Sequence, residues 1–124
     1  MSPTVAVIIP LYKTESTILA TLESLQLQSE PVDDLIIVND EVGGKSLQIV
    51  EEFLKKTGRF KSKIINHTSS IGLARSYNEA ISRTSCDLVI FLHADVILQS
   101  DALKYLIAPF KGPMSERIVA TPLV

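Results

Sequence analysis

The sequence predicts an α/β domain of three layers, α/β/α, on a mostly parallel sheet with right-handed crossovers. Three observations predict it. Short runs rich in β-branched and aliphatic residues alternate along the chain with segments whose apolar residues recur at helical spacing. The strand runs are apolar at successive positions, as in strands covered on both faces. The 124 residues suffice for one domain with one core.

Taken in order, Val5-Ala6-Val7-Ile8-Ile9 is the first strand and Pro10 its exit. Thr14 and Ser16 offer cap hydroxyls for a helix that aligns Ile18, Leu22 and Leu25 and runs to about Gln28. Ser29-Glu30-Pro31 breaks that helix. Leu35-Ile36-Ile37-Val38 is the second strand, ending in Asn39-Asp40 before a Gly43-Gly44 loop. From Ser46 a second helix places Leu47, Val50 and Leu54 on one face, with Glu51, Glu52, Lys55 and Lys56 mainly on the other, and stops at Thr57-Gly58. Lys63-Ile64-Ile65 is a short third strand ending at Asn66-His67. The polar turn Thr68-Ser69-Ser70-Ile71-Gly72 then leads into a helix with Leu73, Tyr77, Ala80 and Ile81 along one side.

Leu88-Val89-Ile90-Phe91-Leu92-His93-Ala94-Asp95 reads as the fourth strand, an apolar run that stops at an aspartate. Ser100 or Asp101 caps a helix through roughly Ala108, followed by Pro109 and Gly112-Pro113. Ile118-Val119-Ala120-Thr121 is the last strand. Residues 1–124 thus form a single domain without repeats or low-complexity segments.

Composition excludes several classes. Twelve basic against 14 acidic residues give a formal net charge of −2, which argues against a nucleic-acid partner. The single cysteine, Cys86, excludes an internal disulfide and a cysteine-based zinc cluster, and fits a reducing compartment. Met1-Ser2-Pro3-Thr4 lacks a basic leader region, and no apolar run approaches the roughly 20 residues a membrane helix needs. A cytoplasmic protein is the resulting expectation.

Polar residues gather where the strands end, at Pro10-Leu11-Tyr12, Asn39-Asp40, Asn66-His67 and His93-Ala94-Asp95. Parallel strands bring all those ends to one sheet edge, the usual ligand crevice of an open α/β sheet. On local grounds Asp40 is either a turn residue or a ligand-binding group, and Asp95 either a loop cap or a metal ligand. Tyr12 either covers the sheet edge or stacks on a base. His67 and His93 read as structural neighbours of the site rather than ligands. The segment Pro10-Leu11-Tyr12-Lys13-Thr14 contains no glycine-rich phosphate loop. A diphosphate bound here needs another counter-charge, and a divalent cation on Asp95, Mg²⁺ or Mn²⁺, is the economical one.

Five segments in register then carry a resemblance: Val5-Ala6-Val7-Ile8-Ile9-Pro10-Leu11-Tyr12, Ser24-Leu25 with Gln28, Ile36-Ile37-Val38-Asn39-Asp40, Gly72-Leu73-Ala74 with Asn78, and Phe91-Leu92-His93-Ala94-Asp95. Together, over residues 5 to about 110, the chain resembles the donor-binding half of family-2 glycosyltransferases, whose GT-A fold is Rossmann-like. The resemblance implies inverting transfer from a nucleotide-diphosphate sugar, UDP-linked, to an acceptor (glycan, lipid or protein) that the sequence does not specify. It implies that Pro10 and Tyr12 line the nucleobase site and that Asp40 accepts a hydrogen bond from uracil. His93 and Asp95 take the ends of a DXD-like motif, with Asp95 on the metal, and Arg75 is a candidate cation for the phosphates. Departures from the family pattern are His93 for the first motif acid, Asn39 for the first of two paired aspartates, Ser70 for an asparagine and Tyr77 for an arginine. Family members continue into an acceptor-binding half that supplies the catalytic base, so no base is assigned in this chain. Either the chain is a fragment, or a partner or second copy supplies that half. The alternative function is non-catalytic binding of a sugar nucleotide or protein by the same fold.

Overall fold

The computed structural model describes residues 3–110 and the backbone of residues 118–120. Its strands are β1 (Val5–Leu11), β2 (Asp34–Asn39), β3 (Ser62–Asn66), β4 (Leu88–Phe91) and β5 (Ile118–Ala120). Between them lie α1 (Ile18–Gln26), α2 (Ser46–Thr57), α3 (Leu73–Ser82) and α4 (Ala102–Ile107), the last followed by one 3₁₀ turn, Ala108–Phe110. The expected Gly112-Pro113 turn and Thr121 lie outside the described residues. The sheet order is β3-β2-β1-β4-β5 and every neighbouring pair is parallel.

The pleat divides the central strands between two cores. Val5, Val7, Ile9 and Leu11 of β1 pack with Leu35, Ile37, Leu88 and Ile90 against Ile18, Leu22 and Leu25 of α1 and Val50 and Phe53 of α2. Ala6 and Ile8 pack on the other face with Ile36, Val38, Val89 and Ala80 of α3. Tyr77 closes that second layer by stacking on Phe91, with ring centroids 4.0 Å apart and planes 10° from parallel. Opposite faces for α1 and α3 are what a constant crossover hand requires, because β1 to β2 and β3 to β4 run in opposite directions across the sheet. Helix α4 departs from that rule. Its Leu103 and Ile107 join the core of α1 and α2, although β4 to β5 runs in the same direction as β3 to β4.

That placement follows from α1 side chains that reach the segment after β4. Thr21 donates to the carbonyl of Ala94 at 3.0 Å, the Ser24 hydroxyl accepts from Leu98 N–H at 3.0 Å, and Gln28 joins Gln99 to Leu103 N–H. These bonds draw the segment over α1 and end the strand early. β4 closes at Phe91 instead of continuing to Asp95, yet burial still alternates: Leu92, Ala94, Val96 and Leu98 are buried, while His93, Asp95 and Ile97 are exposed. Ala94 and Asp95 form a turn, closed by Val96 N–H on the His93 carbonyl at 3.2 Å, and the alternation of burial continues through it.

Pro10 does not end β1. Pairing with β2 continues through Pro10 opposite Val38 and Leu11 opposite Asn39. Pairing with β4 stops at Ile8, whose carbonyl accepts from Leu92 N–H at 2.9 Å. Successive residues of a strand bond to alternate sides, so Pro10 faces β4, and the proline ring has no N–H to extend that ladder. A proline is therefore tolerated in a central strand, and β1 and β4 diverge immediately beyond it.

The helix ends agree with expectation in part. α2 stops at Gly58, which adopts the left-handed φ of 59° that glycine favours. Neither Thr14 nor Ser16 caps α1; the helix begins later, at Ile18. The Thr14 carbonyl takes Thr17 N–H and Ile18 N–H, and its hydroxyl pairs with Ser46 on α2 at 3.0 Å. Asp101 occupies the cap position of α4, but its carboxylate accepts from the Ser29 hydroxyl.

Candidate functional site

Two cavities open at the carboxyl edge of the sheet. The first, about 390 Å³, is lined by Pro10, Tyr12, Asp40, Ser70, Gly72, Leu73 and Ser76. The second, about 340 Å³, lies where β1 and β4 diverge and includes Lys13, Thr14 and Thr17 with His93, Ala94 and Asp95. Both are lined by Pro10, Tyr12 and Leu73, so they form two compartments of one groove. This is the switch point of the sheet, the place where an open α/β fold receives ligands.

Asp40, directly after β2, organises the first compartment although it is almost fully buried. Its Oδ1 accepts from Ile71 N–H at 2.7 Å and from His67 Nδ1 at 2.9 Å; its Oδ2 accepts from Gly72 N–H at 3.1 Å. The Ser70 hydroxyl donates to the Asp40 carbonyl at 2.6 Å. One carboxylate thus ties down the turn before α3, where Gly72 takes a φ of 95° that a side chain would strain. A carboxylate has about four acceptor sites. Three are taken, and the fourth, on Oδ2, remains on a group that lines the cavity.

The charge state of that carboxylate is set by opposing effects. Burial raises its pKa, but hydrogen bonds from Ile71, His67 and Gly72, with the charge on His67, outweigh it and hold Asp40 below the usual carboxylate range. His67 is shifted the other way. Its Nε2 meets Glu79 Oε1 of α3 at 2.5 Å, and this contact, opposed by burial and reinforced by Asp40, raises the histidine above its ordinary value. Arg83 lies 3.7 Å from the other Glu79 oxygen.

The second compartment is open. Tyr12, 54% exposed, forms its rim, with the Lys13 ammonium 5.4 Å from the ring centroid. Lys13 has a left-handed φ of 55°, and its N–H donates to Glu41, which links this turn to the loop after β2. His93 and Asp95 point away from the core by the alternation described above, and the Asp95 carboxylate has no protein partner among the described residues. Nor do the described residues gather three or more histidine, cysteine or acidic side chains into a protein-only metal cage. A single free carboxylate at a groove suits a hard cation whose remaining ligands are water and ligand oxygens.

The structure therefore brings Pro10, Tyr12, Asp40, His93 and Asp95 to one groove. Arg75 is exposed on α3 and lines neither compartment. Asn39 turns its amide to Asn66 at 2.7 Å. Sequence reasoning did not single out Lys13, Ser76 and Leu73 as lining residues or Glu79 as the partner of His67. The left-handed backbone at Lys13 has no sequence signature, and Glu79 meets His67 only once α3 has docked.

The profile of glycosyl transferase family 2 matches residues 6–122. The chain belongs to this family. Similar curated proteins include the putative glycosyltransferase EpsH of Bacillus subtilis, 32% identical over 100 residues, covering 81% of this chain and 28% of that protein. A poly-beta-1,6-N-acetyl-D-glucosamine synthase of Staphylococcus epidermidis is 31% identical over 114 residues, covering 91% of this chain and 27% of the synthase. The chain thus spans under a third of these family-2 relatives. Among solved structures, S. aureus TarS 1-349 in complex with UDP aligns with a TM-score of 0.73 and 26% identity over 85% of this chain and 31% of that one. The mannosyltransferase PcManGT from Pyrobaculum calidifontis, in complex with GDP-Man and Mn²⁺, has a TM-score of 0.76 at 20% identity over 86% of this chain and 33% of that one, a likeness of fold. Among the described residues no helix is long and apolar enough to cross a membrane.

Proposed function

We propose that residues 1–124 form a single donor-binding domain of a family-2 glycosyltransferase that takes a UDP-linked sugar with Mn²⁺ or Mg²⁺ for inverting transfer to an acceptor hydroxyl. The observation that carries this reading is the two-compartment groove, with a buried, oriented acceptor at Asp40 in one half and a free carboxylate at Asp95 in the other. A uracil ring entering the first compartment would offer its ring N–H to the open site on Asp40 Oδ2, with Tyr12 covering the ring face. The sugar diphosphate would then extend past Pro10 and Leu73 toward His93 and Asp95. The related TarS has been solved with UDP and with UDP-GlcNAc, which supports a uridine donor.

Asp95 would hold the cation, with His93 beside it. When bound, such a cation neutralises negative charge on the departing diphosphate. Lys13, at the same compartment, adds a fixed positive charge near the phosphates. We assign no group of this chain to activation of the acceptor.

Calorimetry with UDP tests the reading. Wild type should bind in the presence of Mn²⁺ and lose that dependence in Asp95→Ala, while Asp40→Asn should bind UDP less selectively against other nucleoside diphosphates. Metal-independent binding that Asp95→Ala leaves unchanged would refute the metal role, and unaltered base preference in Asp40→Asn would refute the base-reading role.

A further inference from the structure

The groups around His67 form a chain of contacts that the reading above does not use: Asp40 after β2, His67 after β3, then Glu79 and Arg83 on α3. His67 is largely enclosed, its side chain 10% exposed, and each ring nitrogen faces a carboxylate oxygen within hydrogen-bond distance. An ionised carboxylate only accepts, so both contacts are hydrogen bonds only when both ring nitrogens carry protons. The arrangement therefore selects the imidazolium, which makes a charge-assisted bond on each side. A neutral ring has one N–H for two acceptors. Whichever contact it keeps, Asp40 loses either its third donor or the charge behind it.

We propose that His67 is a positioning residue for recognition of the donor base: bridging Asp40 to Glu79 with both nitrogens protonated, it fixes the carboxylate that reads the ring and makes nucleotide affinity depend on pH. This rests on the donor-site reading of the groove. The bridge spans two walls of the first compartment, since Asp40 lies on one and Glu79 is on the helix that contributes Leu73 and Ser76 to the other. Losing the ring charge loosens both together. The charged groups facing His67 are Asp40 and Glu79, with Arg83 acting through Glu79. Because the two carboxylates together raise the histidine's pKa, the imidazolium is complete below its ordinary value of about 6.5 and is lost as pH rises through the raised one.

The test is UDP titration in the presence of Mn²⁺ from about pH 6 to about pH 8.5, spanning the ordinary histidine range. Variants are compared with wild type at each pH, so that ionisation of the nucleotide cancels. Wild-type affinity should fall by roughly five- to tenfold across the range, the scale of one ordinary net hydrogen bond. His67→Gln, with one donor nitrogen and no charge for two carboxylates on opposite sides, should bind weakly already at the acid end and show no added slope. Glu79→Gln, which takes one of the two carboxylates from the ring, should shift the fall to lower pH. Nitrogen-15 spectra of the imidazole should show both nitrogens protonated near the acid end in wild type. A wild-type slope retained in His67→Gln, or an unmoved midpoint in Glu79→Gln, would overturn the role of His67 alone. Failure of wild type to bind UDP at every pH would overturn the donor-site reading and this proposal with it.

Discussion

The hydroxyl of Thr21, on α1, is expected to hold the loop around Ala94, at the edge of the groove, in place. It is fully buried and donates to the carbonyl of Ala94, the residue between His93 and Asp95. Thr21→Val keeps the shape and removes the donor, leaving a buried carbonyl without this partner. Helix propensity is similar for the two residues and does not decide the outcome. The lost bond should cost about 1–2 kcal/mol. At about 2.1 cal/mol/K per residue, unfolding this chain releases roughly 0.26 kcal/mol/K, so Tm should fall by about 4–8 °C. Thr21→Ser supplies the contrast: it loses a buried methyl, costing about 1 kcal/mol, but keeps the donor. Urea unfolding and UDP titration with Mn²⁺ on both variants separate the contributions. Both should lose stability, and only Thr21→Val should lose nucleotide affinity as well. Equal affinity losses in both, or a Thr21→Val protein within about 0.3 kcal/mol of wild type, would refute the argument that this hydrogen bond positions the loop.

Two other outcomes follow from buried polar groups. Tyr77 stacks on Phe91 with its hydroxyl buried and without a hydrogen-bond partner among the described residues, and that burial also raises its phenol pKa. Tyr77→Phe keeps the stack and removes the orphan, so urea unfolding should show unchanged stability or a gain of up to about 1 kcal/mol; a loss above that size would mean the hydroxyl has a partner. The stability profile with pH should have two limbs. Asp40 has a lowered pKa, so its contribution is full above the ordinary carboxylate value of about 3.9 and disappears as pH falls through the depressed value. His67 contributes fully below about 6.5 and loses its contribution as pH rises through the raised value. Urea midpoints should therefore be highest between those two ordinary values. Asp40→Asn should flatten the acid limb and His67→Gln the alkaline one, and an acid limb equally steep in Asp40→Asn would assign it to other carboxylates.

The buried strands and the stop of α2 at Gly58 were legible in the sequence because local chemistry determines them. An apolar, β-branched run of four or five residues between polar turns is too short for a helix and fits a buried strand, and glycine after a helical pattern supplies the left-handed residue that ends it. The convergence of Tyr12, Asp40, His93 and Asp95 was legible for a topological reason, since parallel strands place their ends on one edge whatever the side chains are. What stayed hidden depends on partners distant in sequence. The exit of the chain at Phe91 and the face chosen by α4 are set by Thr21, Ser24 and Gln28, more than 70 positions earlier. Thr14 looked like a helix cap and is instead the link between the starts of two helices. His67 looked like a strand-end residue, and nothing around it in sequence announces Glu79, 12 residues on in α3.

The proline in β1 bears on how the groove greets a ligand. A sheet closes like a zip, each pair of strands meeting tooth by tooth until a tooth is missing, and at Pro10 the missing tooth is an absent proton on nitrogen. That stop is covalent. No change of solvent, temperature or side-chain rotamer can restore the donor, so the seam between β1 and β4 does not creep shut when the groove is empty. Any ligand of the groove meets a mouth already held apart, and its binding energy is not spent on prising strands from each other.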